Sequence, residues 1–331
     1  MAEEGKRKQA RRHHYLPQFY LAGFTPSGKK EDKLWVFDLD TGKKFTTTTE
    51  NVACEKDLYR WEGVTEHEDF LETETFQKLD NKASKIIESI LQTKTIPSKD
   101  TDEYSYLMQF IAAFKIRTPW SQKQNEELTK QIIRAITNVV TQSEERWQIF
   151  RNRALGEEGK DFSKEQMREV VFDESKYTIK VQREAYLKTM SDRLKPLFEI
   201  LWEREWSFCE TQESHLICSD YPLVVDWTIP NPSNKPPGLA HINTAVSIPL
   251  TKKAVLIGSF EKHFMSPISK ELVGVINFLE AAVYAHRFIF SADEDFYWLK
   301  NDGYLGHAEE LIKLIQNRRG RPLGRPDGTP H

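Results

Sequence analysis

Apolar positions in this 331-residue chain fall into three regimes, and each predicts a different kind of element. Near the start, LWVFD (34–38) and KFTTTT (44–49) flank LDTG, a Gly-containing turn between β-branched and aromatic runs, which predicts a β-hairpin. From 70 to 204 the spacing is helical. Phe76, Leu79, Ala83, Ile86, Ile87, Ile90 and Leu91 line one face of a helix over 70–93. Asp100 with Glu103 resembles a capping box opening a second helix, which carries Leu107, Phe110, Ile111 and Phe114 before Pro119. A long helix is expected over 121–155 with Leu128, Ile132, Ile136 and Val139 or Val140 as its stripe, and 156–161 breaks it. Ser163 and Gln166 cap another, and a further helix covers 181–204, where Pro196 predicts a kink or a fresh first turn.

At Trp206 the period changes. WSFCET (206–211), HLICSD (215–220), LVVDWT (223–228), AVSIPL (245–250) and AVLIGSF (254–260) read as five strands, with a Pro/Asn loop at 229–241 between the third and fourth. A helix over 268–286, a strand at RFIFSA (287–292) and a helix over 306–316 follow. Helices in one run and strands in the next predict an α+β fold, a helical middle packed against a mostly antiparallel sheet. That sheet is expected from the C-terminal half together with the N-terminal motif.

Composition changes the picture in two ways. The formal charge of −3 hides basic ends of +3 each, at 1–12 and 318–331, around a body of −9. The basic face of a duplex nucleic-acid reader is therefore absent from the body, and the ends read as a mobile arm and a tail. Cys54, Cys209 and Cys218 have no CxxC spacing and read as reduced thiols. No apolar run reaches the length of a membrane span, so a cytoplasmic protein with no membrane partner is expected. The sequence leaves the oligomeric state open.

Candidate chemistry centres on RRHHYLPQFYLAGF (11–24), which concentrates two histidines, four aromatics and a proline. In an extended segment His13 and His14 point to opposite faces, so one of them turns inward. HExxH is absent. HHYLP touches the opening of an HNH nuclease finger, but the next histidine, His67, stands in a glutamate-rich stretch without finger spacing. Arg117 lies on the apolar stripe of its helix, where it either snorkels near the helix C-terminus or bonds something buried. Asp220, at a strand end in ICSDYP, suits a general base, a metal ligand or an Asx-turn. Arg287 enters a strand just after a helix ends. There is no GxxxxGK[ST], GxGxxG or GxSxG, which removes the common nucleotide, hydride and acyl-transfer motifs.

With HHYLPQFYLAGF, RTP, SDYP, IPL and a late Asn and Arg before FIFS in place, the chain resembles the family known as domain of unknown function 4238. This sequence has SDYP where that family usually has an asparagine before the proline. The resemblance implies one integrated domain over 13–317, comprising motif and hairpin (13–64), helices (70–204), and sheet with helices (206–317). It also implies that His14, Tyr15, Pro17, Gln18, Arg117, Asp220, Pro222, Asn277 and Arg287 are the positions of interest.

Two functions are expected from these residues. One is a hydrolase of phosphoester bonds in nucleic acid, a defence or toxin-like effector. In it His13 or His14 and Asp220 act as acid and base, Tyr15, Gln18, Arg117, Asn277 and Arg287 hold substrate, and the basic tails capture the polymer, while the sequence names no cofactor and leaves room for a divalent metal. The other is a non-enzymatic ligand-sensing or protein-binding module, in which the same side chains lock the N-terminal segment in place.

Overall fold

A computed structural model describes residues 11–61, 68–155, 163–173, 175, 183–229, 236–261 and 263–319. Most of both basic ends, the 156–161 break, His67 and the middle of the Pro/Asn loop lie outside the described residues. The fold is α+β. In chain order come β1 (Arg12–His14), α1 (Gln18–Ala22), β2 (Lys33–Asp38), β3 (Lys44–Thr48), β4 (Cys54–Lys56), α2 (Gln77–Thr93) and α3 (Asp102–Ala113). Next are α4 (Pro119–Val140), α5 (Glu144–Phe150), α6 (Lys164–Phe172), α7 (Arg183–Trp202), β5 (Glu205–Glu210), β6 (Cys218–Ser219) and β7 (Val224–Trp227). The chain ends with β8 (Thr244–Thr251), β9 (Ala254–Ser259), α8 (Lys270–Phe278), β10 (Phe288–Ser291), β11 (Tyr297–Leu299), β12 (Leu305–His307) and α9 (Ala308–Arg319).

Two compact units result, one of residues up to Thr118 and from Met190 onward, the other of Pro119–Thr189. The larger unit holds two four-stranded antiparallel sheets where one sheet was expected. Their orders are β3-β2-β10-β6 and β5-β9-β8-β7. The predicted hairpin forms, with Gly42 at φ 71° in its turn, and it joins the C-terminal strand β10, Phe288 standing opposite Asp38. The N-terminal motif does not enter either sheet: β1 pairs with β4 alone, His13 opposite Glu55. The β11–β12 ladder has no counterpart among the predicted strands, because its three-residue arms are too short to show a period.

Local chemistry accounts for the helix ends. The cap of α3 is Thr101, whose hydroxyl accepts the Tyr104 N–H, so the start lies one residue beyond Asp100. The Ser163/Gln166 capping box forms in full. Pro196 is accommodated inside α7. The expected 121–155 helix is two helices, since Ser143 accepts the Arg146 N–H and starts α5 afresh.

In the smaller unit the expected buried stripe of α4 is corrected. Leu128, Ile132, Ile136 and Val139 are 51%, 50%, 45% and 52% exposed, while α4 buries Ser121 and Thr137 instead. The seam between α4 and α6 is polar, with Arg168 donating to Asn138 and Thr141.

Candidate functional site

The N-terminal motif is anchored by shape before it is anchored by charge. Leu16, Leu21 and Phe24 are fully buried, and the Tyr20 hydroxyl donates to the Pro249 carbonyl of β8 at 2.6 Å. Gly23 follows α1 because a Cβ there would stand 2.4 Å from the Leu250 carbonyl oxygen. Backbone approaches backbone at that point.

The histidine pair divides as period two requires. His13 turns inward, fully buried and stacked on Tyr59, and its Nδ1 accepts the Tyr59 N–H at 2.8 Å. A nitrogen that accepts a backbone N–H carries no proton itself. His14 is half-buried with Nε2 3.2 Å from the Glu50 carbonyl, and burial holds its pKa below the ordinary histidine value.

Arg117 sits under this segment. It is 1% exposed and forks onto both oxygens of Asp80, at 2.7 and 3.0 Å, while Nη2 also donates to the His14 carbonyl at 2.9 Å. Burial opposes its charge, but Asp80 outweighs burial and holds the guanidinium ionised. The Tyr59 hydroxyl donates to the Arg117 carbonyl, and the guanidinium packs on the Phe76 ring at 4.9 Å. Glu72 completes the group. Burial pushes its carboxyl up to about 7 against the pull of Arg117 and the His14 N–H, and its Oε2 has no hydrogen-bond partner among the described residues.

Asp220 is committed to the backbone. Its carboxylate accepts the N–H groups of His286, Arg287 and Phe288 at 2.8, 2.8 and 3.0 Å, clasping the chain where it enters β10. Arg287 is half exposed and donates to Asp38 of β2 at 2.9 Å. Tyr15 is buried, and burial followed by the Asp220 charge raises its pKa well above the ordinary value. Asn277, also buried, accepts the Ile217 N–H and donates to the His215 and Tyr297 carbonyls. Gln18 is half-buried at the start of α1.

Among the candidates His14 meets Arg117, and Tyr15 lies near Asp220, which holds the Arg287 backbone, whereas Asn277 bonds Ile217, His215 and Tyr297 instead. Three cavities of about 540, 650 and 270 Å³ are lined by none of these side chains. Among the described residues no group of three or more His, Cys, Asp or Glu side chains is placed to hold a metal ion.

Sequence reasoning missed the charges at the centre of the same motifs. Glu280 is fully buried, accepts both the N–H and the hydroxyl of Ser219, and leaves Oε1 without a partner among the described residues. Burial pushes it up to about 8. Lys115 lies two residues before Arg117, with its ammonium 4.3 Å from the Tyr221 ring centroid and 5.3 Å from that of Tyr284. Burial brings its pKa down to about 7, with Glu280 opposing the shift. An acid that holds its proton near neutrality beside an amine that releases one can exchange a proton without creating a buried net charge. Position gave a signal: Glu280 follows Ile276 by one helical turn on the face that carries Val273. A second missed feature is the turn at Asp293, Glu294 and Asp295, which binds His215, Lys44 and His307 in that order.

The model of the family described as Protein of unknown function (DUF4238) matches residues 12–295, which takes in the histidine pair, Arg117, Asp220 and Arg287. No curated protein and no solved structure matches the chain.

Proposed function

The chain belongs to the DUF4238 family, and within it we propose a module that binds a ligand rather than one that cuts phosphoester bonds. The observation that carries this reading is Asp220. A general base needs a carboxylate oxygen turned toward substrate, whereas this carboxylate gathers three successive backbone N–H groups. His13 and Asn277 support the same reading, because each bonds backbone partners at a junction between elements, and Arg117 divides its guanidinium between Asp80 and the His14 carbonyl. Their role is to hold the motif segment, β6 and the entry to β10 in one geometry. A cytoplasmic setting belongs to the proposal and suits the free thiols of Cys54, Cys209 and Cys218.

The competing reading is a hydrolase of nucleic acid, with His14 and Asp220 as acid and base and basic ends that capture the polymer. Purified full-length protein decides between them through Asp220→Asn and His14→Ala, assayed on bis(p-nitrophenyl) phosphate, single-stranded DNA and RNA with and without divalent metal. The binding reading expects no hydrolysis by wild type and a loss of about 1–3 kcal/mol of stability in Asp220→Asn. Hydrolysis by wild type, abolished in both variants while their unfolding curves stay unchanged, would establish the hydrolase.

A further inference from the structure

Between the sheet β5-β9-β8-β7 and helix α8 lies a cavity of about 270 Å³, smaller than the ~300–1,000 Å³ of most ligand pockets. Its walls are mostly apolar, with Ile257 from the sheet and Leu272 and Ile276 from α8, and Thr228 and Ser247 add hydroxyls. Asp226, next to the end of β7, opens into it.

The environment of Asp226 is unusual for a carboxylate. Oδ1 accepts the N–H of its own neighbour Trp227 at 2.8 Å. Oδ2 has no hydrogen-bond partner among the described residues, and no lysine, arginine or histidine among them forms an ion pair with Asp226. The titratable group its charge reaches is Tyr284, whose hydroxyl is held by the Val225 backbone; burial first, and then the Asp226 charge, push that phenol up to about 12, so it stays neutral. Burial raises the Asp226 carboxyl itself, which is the cost of a charge without a counter-ion in an apolar wall. Asp38 and Asp80, by contrast, each have an arginine partner within this chain.

We propose that this cavity binds a small organic cation, an ammonium group carried on one apolar ring or chain, with Asp226 as its counter-ion. The proposal deepens the binding reading above and rests on it. The apolar side chains of the walls hold the body of the ligand out of water, and Asp226 selects for positive charge. A neutral or anionic ligand of the same shape would cover the half-buried carboxylate without pairing it.

Isothermal titration of the full-length protein with benzylamine, benzyl alcohol and benzoate tests this. Saturable binding of benzylamine is expected, with benzyl alcohol and benzoate weaker by about tenfold or more, and with Asp226→Asn costing benzylamine about tenfold or more. Absent binding, equal binding of the alcohol, or unchanged affinity in a folded Asp226→Asn would overturn it. The comparison of the three ligands on wild type needs no variant and stands if Asp226→Asn fails to fold. The two readings fail separately, since phosphoester hydrolysis removes the binding module and unselective titration removes only the ligand class.

Discussion

The guanidinium of Arg117 donates to the carbonyl of His14 at 2.9 Å, across 103 residues of sequence. This bond, with the fork onto Asp80, joins the opening motif to the end of the second large helix of the chain and to the one before it. Both partners lie within the larger unit.

Removing one side of that buried pair leaves the other charge without compensation. Asp80→Asn is expected to cost about 3–5 kcal/mol, read from urea unfolding. Arg117→Lys is expected to lose most of the same amount, because a point charge cannot span both Asp80 oxygens and the His14 carbonyl together.

Asn277 makes a sharper chemical test. Asn277→Ala strands one N–H and two carbonyls and is expected to cost about 2–4 kcal/mol. Asn277→Asp is expected to cost more at neutral pH, since it turns a carboxylate oxygen toward the His215 and Tyr297 carbonyls that now accept from the amide. If the aspartate is as stable as the asparagine, the assigned amide orientation fails.

Glu280 and Lys115 impose opposite slopes on stability against pH. The Glu280 carboxyl ordinarily titrates at 4.5 and here at about 8, so the folded protein holds a proton that the unfolded chain releases. Stability therefore falls as pH rises between those values, and Glu72, pushed to about 7, adds to the fall. Lys115 drops from 10.5 to about 7, so the folded protein has lost a proton that the unfolded chain keeps, and stability recovers as pH rises through that window. Denaturation across about pH 5 to 10 is expected to show a minimum near neutrality. Glu280→Gln is expected to flatten the falling limb and raise stability at neutral pH.

Charge placed on the outer face of α4 is expected to be harmless. Ile132→Lys should change stability by about 0.5 kcal/mol or less, measured by thermal unfolding, because the side chain is 50% exposed. A loss of several kcal/mol would mean that this face is covered in solution.

The same helix shows where periodicity misleads. Its apolar residues recur at helical spacing, yet the face it packs with carries Thr137, Asn138 and Thr141, and nothing in a pattern of apolar residues marks a polar seam. Where short-range chemistry decides, the reading was sound: the Ser163 box, the hairpin with Gly42, and the inward and outward turn of His13 and His14 all follow from neighbours within a few residues. Long-range partners were illegible. Asp220 is legible as a strand-end carboxylate suited to an Asx-turn, but its donors lie 66 to 68 residues away. Lys115 looks like a surface charge in the sequence and Glu280 shows only its place on the apolar face of its helix, because the burial that shifts them comes from segments far along the chain.

The placement of β10 between β2 and β6 sets a schedule on synthesis. The hairpin leaves the ribosome early with its β2 edge open, and the strand that closes that edge follows ~250 residues later, roughly 10–50 s at usual elongation rates. Throughout that interval Leu34, Val36 and Phe37, buried in the finished protein, have no β10 beside them. Lys33, Lys43 and Lys44 flank that apolar run with charge, an arrangement that disfavours edge-to-edge pairing of incomplete sheets.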